Sequence, residues 1–244
     1  MTEPNLKKRK IAILFFGLAR TITSVYPSLK QNIFDVLTNN NIDYDIFVHT
    51  YALPNPYVNP WTKTVINDYD NQSFKILNPK AFIIENQNNV ERRLNIPSYF
   101  AKLSDWAQCA NTPELKCSFV RNMVLAQHSK KMVTSLFAKN KNDYDYVMFT
   151  RPDQVLHTPI IPSSLLLLNN NNIIVPKEHS YLGVNDRLCF ATPYIGIIYG
   201  NSFNLLLPYS EQKSIISEVF LQHYLKINKI GIIYSPILAT LRRL

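Results

Sequence analysis

The chain has 244 residues, with 26 Lys and Arg against 17 Asp and Glu and a formal net charge of +9. A hydrophobic fraction of 46% and a charged fraction of 18% exclude global disorder and leave enough apolar mass for a sizeable core. The longest apolar runs, such as Ile11 to Phe16 and Leu165 to Leu168, fall far short of the roughly 20 residues a spanning helix needs, so no transmembrane segment is expected.

Residues 1–9 read as a flexible basic leader, and residues 10–244 as one domain. The leader is followed by too short an apolar stretch, and by no small-residue cleavage site, to be a secretory signal. Three cysteines (Cys109, Cys117, Cys189) are odd in number and lack close metal-ligand spacing. Free thiols in a reducing, cytoplasmic compartment fit them better than a disulfide framework. The basic balance is compatible with nucleic acid, an anionic membrane surface or a phosphorylated substrate. A nucleic-acid module would carry a basic stripe. Here the cations are dispersed and the aromatics fall mostly in predicted strands and helices, so no nucleic-acid partner is expected.

In chain order, Lys10 to Phe16 predicts a buried strand, with Gly17 just beyond it. Thr23 to Leu37 predicts a helix, with Val25, Leu29, Ile33 and Leu37 spaced by four. Ile42 to Thr50 predicts a second strand, and strand–helix–strand implies a parallel sheet. Residues 51–72, with Pro54, Pro56 and Pro60, read as a long loop. Phe82 to Ile84 predicts a short strand, Pro97 to Leu115 an irregular aromatic stretch, and Phe119 to Phe137 a helix. Tyr144 to Thr150 predicts the next strand, followed by short strands at Ile173 to Val175 and Leu188 to Ala191. Pro193 to Leu207 and Glu211 to Ile227 predict helices, and Ile230 to Tyr234 a last strand. The fold class is α/β, with a mostly parallel central sheet flanked by helices.

P-loop, dinucleotide-binding, zincin and nucleophile-elbow signatures are absent. The position of polar residues is more informative. Ligands of open α/β sheets bind beyond the carboxyl ends of parallel strands. Three predicted strands deliver polar groups there: Gly17 and Arg20, His49 and Tyr51, and Arg151 and Asp153. Gly17 lets backbone approach a ligand, and the Arg20 fork suits phosphate oxygens. Asp153 suits a divalent ion or a sugar hydroxyl. Arg151 beside it supplies the charge opposite to a diphosphate. Asp-Tyr-Asp occurs at Asp43, Asp68 and Asp143. Two copies stand at the amino ends of strands and one in the long loop, so all three read as solvated turn chemistry. Asn185 and Asp186 offer either a turn or an acceptor-side carboxylate. Glu218, Gln222 and His223 lie on or near one face of a helix.

Taken together, Lys10 to Arg20, then Tyr44-Asp-Ile-Phe-Val-His-Thr50, then Tyr144 to Asp153 after a helix carrying Ser129 and a nearby lysine, then Val175-Pro176 and Asn185-Asp186 before Phe190-Ala191, resemble a glycosyltransferase-like family of bacterial polysaccharide loci and large DNA viruses. The similarity spans roughly residues 10–200, with a weaker echo in Glu218 to Arg243. It implies a GT-A-like fold, a nucleoside-diphosphate-sugar donor, a glycan or glycoconjugate acceptor, and often Mn²⁺ or Mg²⁺. A viral member would act in the host cytoplasm. Carried over, Gly17 and Arg20 would face the nucleotide and its phosphates, and His49 and Tyr51 would line the same pocket. Arg151 and Asp153 would take the place of the Asp-x-Asp motif, with Asp153 at the metal, and Asp186 would be the catalytic acceptor-side carboxylate. Arg151 departs from the family's first carboxylate. That leaves a catalytically silent binding protein as the alternative, with a basic nucleic-acid-binding module behind it.

Overall fold

The structure, a computed structural model, describes residues 8–58, 64–67, 69–103 and 112–242. Most of the expected leader, together with Pro60, Asp68, Trp106, Cys109 and Arg243, lies outside the described residues.

The first strand, β1 (Lys10–Phe16), has the predicted bounds. Two helices follow, α1 (Ile22–Leu29) and α2 (Asp35–Asn39), joined by a π-helical turn over Lys30–Phe34. A spacing of four overshoots a 3.6-residue turn by about 40° at each step, and one wider turn offsets part of that drift. Val25, Leu29, Ile33 and Leu37 are accordingly all fully buried. Next come β2 (Asp43–Ala52), the short pair β3 (Tyr57–Val58) and β4 (Val65–Ile66), β5 (Ala81–Asn86) and α3 (Gln87–Leu94). The long helix α4 (Pro113–Ala138) starts six residues earlier than its apolar spacing suggests. Thr112 caps it by accepting from the Leu115 N–H at 3.3 Å, and Pro113 sits in its first turn, where a missing N–H costs nothing.

The chain continues through β6 (Tyr146–Thr150), β7 (Gln154–Leu156), β8 (Asn172–Pro176) and β9 (Leu188–Ala191). The predicted helix from Pro193 to Leu207 is in fact two, α5 (Pro193–Gly200) and α6 (Phe203–Gln212). The break has a packing cause. Gly200 lies so close to Thr134 that a Cβ would stand 1.9 Å from its hydroxyl oxygen, and the buried Ser202 donates to Gln127 at 2.8 Å. The helix expected from Glu211 starts only at Ser217, as α7 (Ser217–Ile227), after an extended Lys213. The chain then forms β10 (Gly231–Ser235) and β11 (Ala239–Leu241), which pairs antiparallel with β7.

Seven strands form one sheet in the order β10-β8-β9-β6-β1-β2-β5. The β6, β1, β2 and β5 block is parallel, β9 runs antiparallel to β6 and β8, and β10 is parallel to β8. The architecture is the expected mostly parallel sheet flanked by helices. Alternate residues of β1 feed opposite layers, as strand geometry requires. Ile11, Ile13 and Phe15 pack with Ile22, Val25 and Leu29. Ala12, Leu14 and Phe16 pack with Val133 and Phe137 of α4 and Leu221 of α7. Both faces are covered, so ligand access lies at the edge where the parallel strands end. Among the described residues no helix is long and apolar enough to cross a membrane.

Candidate active site

The register brings three predicted sites to one edge. Phe16 pairs with His49, and Phe15 pairs with Thr150, so β6 and β1 end side by side, while β2 runs on to Ala52 and keeps His49 and Tyr51 inside the strand, paired with β5. The antiparallel β9 begins where β6 ends, with Thr150 opposite Leu188. That reversal places Asp186 beside Arg151 and Asp153. The sequence alone does not show that β9 is reversed.

At the β6 end, the Arg151 side chain turns onto Asp153. Its Nε donates to Oδ1 at 2.8 Å and a terminal N–H donates to Oδ2 at 2.7 Å. The Asp153 side chain is 3% exposed and that of Arg151 is 27% exposed, so the carboxylate is enclosed while its partner still meets solvent. The Asp153 carbonyl also accepts the Arg242 N–H at 2.8 Å, tying the turn to the strand β11 region. Both Asp153 oxygens accept from Arg151, so a cation at Asp153 would share the carboxylate with the guanidinium and meet its positive charge.

Asp186 leads into β9, and the Ser217 hydroxyl at the start of α7 donates to its Oδ2. The neighbouring Asn185 is spent on its own loop. Its amide donates to the Glu178 carbonyl at 2.6 Å and its oxygen accepts the Arg187 N–H at 2.9 Å, an Asx turn. Glu218 joins Asp186 from α7. Burial, and then the Asp186 charge, push its carboxyl up to about 7. Gly183 makes this meeting possible. A Cβ there would lie 2.1 Å from the Glu218 carbonyl oxygen, and the adjacent Val184 N–H donates to that same oxygen at 3.0 Å. The other two residues on that helix do not join: Gln222 is exposed, and His223 packs against Tyr209 at 5.3 Å between ring centroids.

Lys130 of α4 lies within electrostatic reach of Asp186. It is fully buried, and among the described residues its ammonium has no hydrogen-bond partner. It rests over the Tyr199 ring at 4.3 Å and the Phe16 ring at 5.2 Å. Burial pushes its pKa down to about 8, against the pull of Asp186.

Gly17 has φ of +103°, a conformation L side chains avoid, and nothing stands within 4 Å of a Cβ position there. Open space therefore borders its backbone. Arg20, half-buried, donates to the Tyr57 hydroxyl at 3.2 Å, while its Nε has no partner among the described residues.

His49 and Tyr51 sit deeper than a ligand-lining role needs, at 0% and 2% exposure. His49 Nε2 meets Glu85 Oε2 at 3.0 Å, which requires a proton on Nε2. In the neutral ring Nδ1 is then an acceptor, and the Ser129 hydroxyl, 2.6 Å away, donates to it while accepting the Gly17 N–H at 2.7 Å. The chain of bonds links the turn after β1 to β5 through one histidine. Tyr51 donates to the Leu125 carbonyl at 2.7 Å and lies 3.0 Å from His128 Nδ1. Arg93 donates to the other Glu85 oxygen at 2.7 Å. Glu85 is held down to about 2, first by the His49 hydrogen bond, against burial, with Arg93 adding to it. Burial lowers His49, and pushes His128 down to about 4.

His49, Glu85 and His128 present three ligand-type atoms within 4.8 Å of one another, a group that could hold a metal ion. Sequence reasoning found His49 and, through the family resemblance, Ser129. It missed Glu85, Arg93 and His128, which come from three separate elements with no shared spacing.

Comparison with known proteins finds no family model that matches the chain, and no curated protein matches it either. Among similar solved structures is the apo-form glycosyltransferase GlyE of Streptococcus pneumoniae TIGR4, at 10% identity and a TM-score of 0.44. The similarity covers 93% of this chain and 45% of that one, so this chain spans less than half the length of that structure.

Proposed function

We propose that this chain is a glycosyltransferase with one GT-A-like domain over residues 10–244, moving a sugar from a nucleoside-diphosphate donor to a hydroxyl of a glycan. The observation that carries the reading is the convergence at one sheet edge of Arg20, the Arg151–Asp153 pair and the Asp186–Glu218 pair. Cations and carboxylates of different strands lie side by side beside an open backbone turn at Gly17. The motifs that resemble glycosyltransferases of polysaccharide loci and large DNA viruses supply Arg20, Arg151, Asp153 and Asp186, and Glu218 is added by the packing of α7 against the Asp186 loop.

In this scheme Arg20 and Arg151 bind the donor diphosphate, since a guanidinium fork matches phosphate oxygens. As the sugar–phosphate bond breaks, negative charge grows on the leaving diphosphate, and fixed cations stabilise it. Asp153 holds Arg151 in place. Asp186 accepts the proton of the attacking hydroxyl, and Glu218, whose carboxyl titrates near neutrality, takes or shares that proton. Ser217 orients Asp186. His49 and Ser129 fix the Gly17 turn. Mn²⁺ or Mg²⁺, when bound, would add counter-charge at the diphosphate, with oxygens as its preferred ligands. The free thiols of Cys117 and Cys189 accord with a cytoplasmic setting.

The alternative, a silent binding protein, is favoured by one feature: Arg151 neutralises the carboxylate at the position of the family's metal motif. Mass spectrometry of donor panels incubated with and without glycan acceptors separates the two. Transfer or donor hydrolysis supports the enzyme. Binding without turnover supports the alternative.

A further inference from the structure

Next to the Asp186 loop, the ends of β8 and β10 enclose an open cleft of about 920 Å³, lined by Lys177, Glu178, His179, Tyr181, Tyr234 and Leu238, among others. Its aromatic residues are unusually bare. Tyr181 is 69% exposed and Tyr234 is 48% exposed. Large aromatics contribute most when they are covered, and amphipathic ones are favoured at binding surfaces. Tyr181 is also held outward. Its φ is 44° and that of His179 is 56°, both in the left-handed region that non-glycine residues rarely occupy. The Arg187 guanidinium lies 6.0 Å from the Tyr181 ring centre, and the His179 ring lies 6.0 Å from it.

We infer that this cleft is a carbohydrate-binding subsite, in which Tyr181 and Tyr234 stack on the pyranose rings of a neutral glycan acceptor. The inference rests on the glycosyltransferase reading of the adjoining site. A pyranose is amphipathic: it shows an apolar C–H face and a rim of hydroxyls. Flat aromatic faces beside Glu178, Lys177 and His179 match both halves, as small-molecule sites combine aromatic walls with a few polar groups.

A nucleobase also stacks on tyrosine, but position and charge argue against one. The cleft lies at β8 and β10, three and four strands from β1 in the sheet order. At about 4.8 Å per strand that is about 14–19 Å from the end of β1, where Gly17 and Arg20 stand, and about 10–14 Å from the end of β6, where Arg151 stands. Lys177 and Glu178 offset each other in the lining, and the Arg187 guanidinium meets the Tyr181 ring. Asp186 leads into β9, which lies between β8 and β6 in the sheet order, and Gly183 of the same loop lines the cleft. In the proposal, a glycan laid on the tyrosines runs along this loop toward Asp186.

The test uses the full chain and soluble probes: cello-, chito- and malto-oligosaccharides for the cleft, and UDP, GDP, CDP and ADP for the diphosphate site. Saturation-transfer NMR and calorimetry read both. At least one oligosaccharide is expected to bind, with Tyr181→Ala and Tyr234→Ala each weakening it by about tenfold, as for a truncated aromatic anchor, and Tyr181→Phe retaining most of the affinity. Nucleotide affinity and melting temperature should be unchanged in all three variants. Oligosaccharide binding that is absent, or that both alanine variants leave intact, overturns the subsite. Failure of every nucleotide to bind, with oligosaccharide binding intact and sensitive to the tyrosines, overturns the glycosyltransferase reading and leaves a glycan-binding cleft.

Discussion

Arg151 holds Asp153 through two parallel hydrogen bonds of 2.8 and 2.7 Å, between residues only two apart in sequence. The pair turns a strand end into a fixed array of N–H donors. An isolated Arg151 would sample many rotamers, whereas a guanidinium anchored on a carboxylate presents its remaining N–H groups in one direction. Removing the anchor leaves a largely enclosed charge without its partner. Asp153→Ala should therefore cost about 3 kcal/mol of stability, at the low end for breaking an enclosed pair. Urea unfolding checks this; a loss below about 0.5 kcal/mol would mean that solvent already screens the pair.

Lys130 gives the opposite expectation. Its buried ammonium rests on two aromatic rings but has no hydrogen-bond partner among the described residues, a cost to the free protein, and Met has similar length without the charge. Lys130→Met should leave stability unchanged or raise it by about 1–2 kcal/mol, as for replacing buried charge by apolar bulk. Sugar transfer should nonetheless fall, because the cation within electrostatic reach of Asp186 is lost. Thermal melts and turnover on the same preparation decide this, and a variant that is both less stable and fully active would contradict it.

Glu218 predicts a pH dependence of definite sign. Its folded-state pKa, about 7, lies above the ordinary carboxylate value of 4.5. Between those values the folded chain binds more protons than the unfolded chain, so this group's contribution to stability is present at low pH and is lost as pH rises from about 4.5 to about 7. His49 and His128, lowered by burial, act in the opposite sense over an overlapping range, so the total curve mixes the two. The difference between wild type and Glu218→Gln isolates Glu218. The variant should gain relative stability as pH rises from 5 to 8. A difference curve flat across that range would show that the carboxyl titrates normally.

Gly183 should tolerate no side chain. A Cβ placed 2.1 Å from a backbone carbonyl cannot be relieved by a side-chain rotation, so the loop or the start of α7 must move. Gly183→Ala should cost about 1–3 kcal/mol, the range for forced overpacking, and should reduce transfer by displacing Asp186 from Glu218. Unaltered melting and turnover would show that the loop adjusts freely.

The elements were more legible than their arrangement. β1 and β9 fall on their predicted bounds because short apolar runs flanked by polar residues leave little choice. The split between α5 and α6 was hidden because apolar residues continue at helical spacing across Gly200, while the bend comes from the contact with Thr134. The start of α7 was hidden for a similar reason: Lys213 to Ile216 carry no breaker. In the site, Gly17, Arg20, Arg151 and Asp153 follow the carboxyl ends of strands, and position marked them, whereas Asp186, ahead of β9, was marked by the family resemblance. Strand-end position could not reveal that His49 is turned inward, toward Ser129 and Glu85. Glu85 itself comes from β5, whose burial pattern resembles a surface strand, and Arg93 from a strongly polar α3. Long-range pairing, which spacing does not encode, assembles that network.

The central claim, that this edge binds a nucleoside diphosphate through Arg20 and Arg151, is tested most directly by thermal shift of the full chain with UDP, GDP, CDP and ADP, in EDTA and in Mn²⁺. A diphosphate at about 100 times its dissociation constant stabilises by about 2.7 kcal/mol, a rise of several degrees for a chain of this size. The account predicts such a rise with at least one nucleotide, and its loss in Arg20→Ala and Arg151→Ala after each variant is compared with its own ligand-free melt. Melting temperatures unmoved by all four diphosphates, or a rise that survives both substitutions, would contradict it.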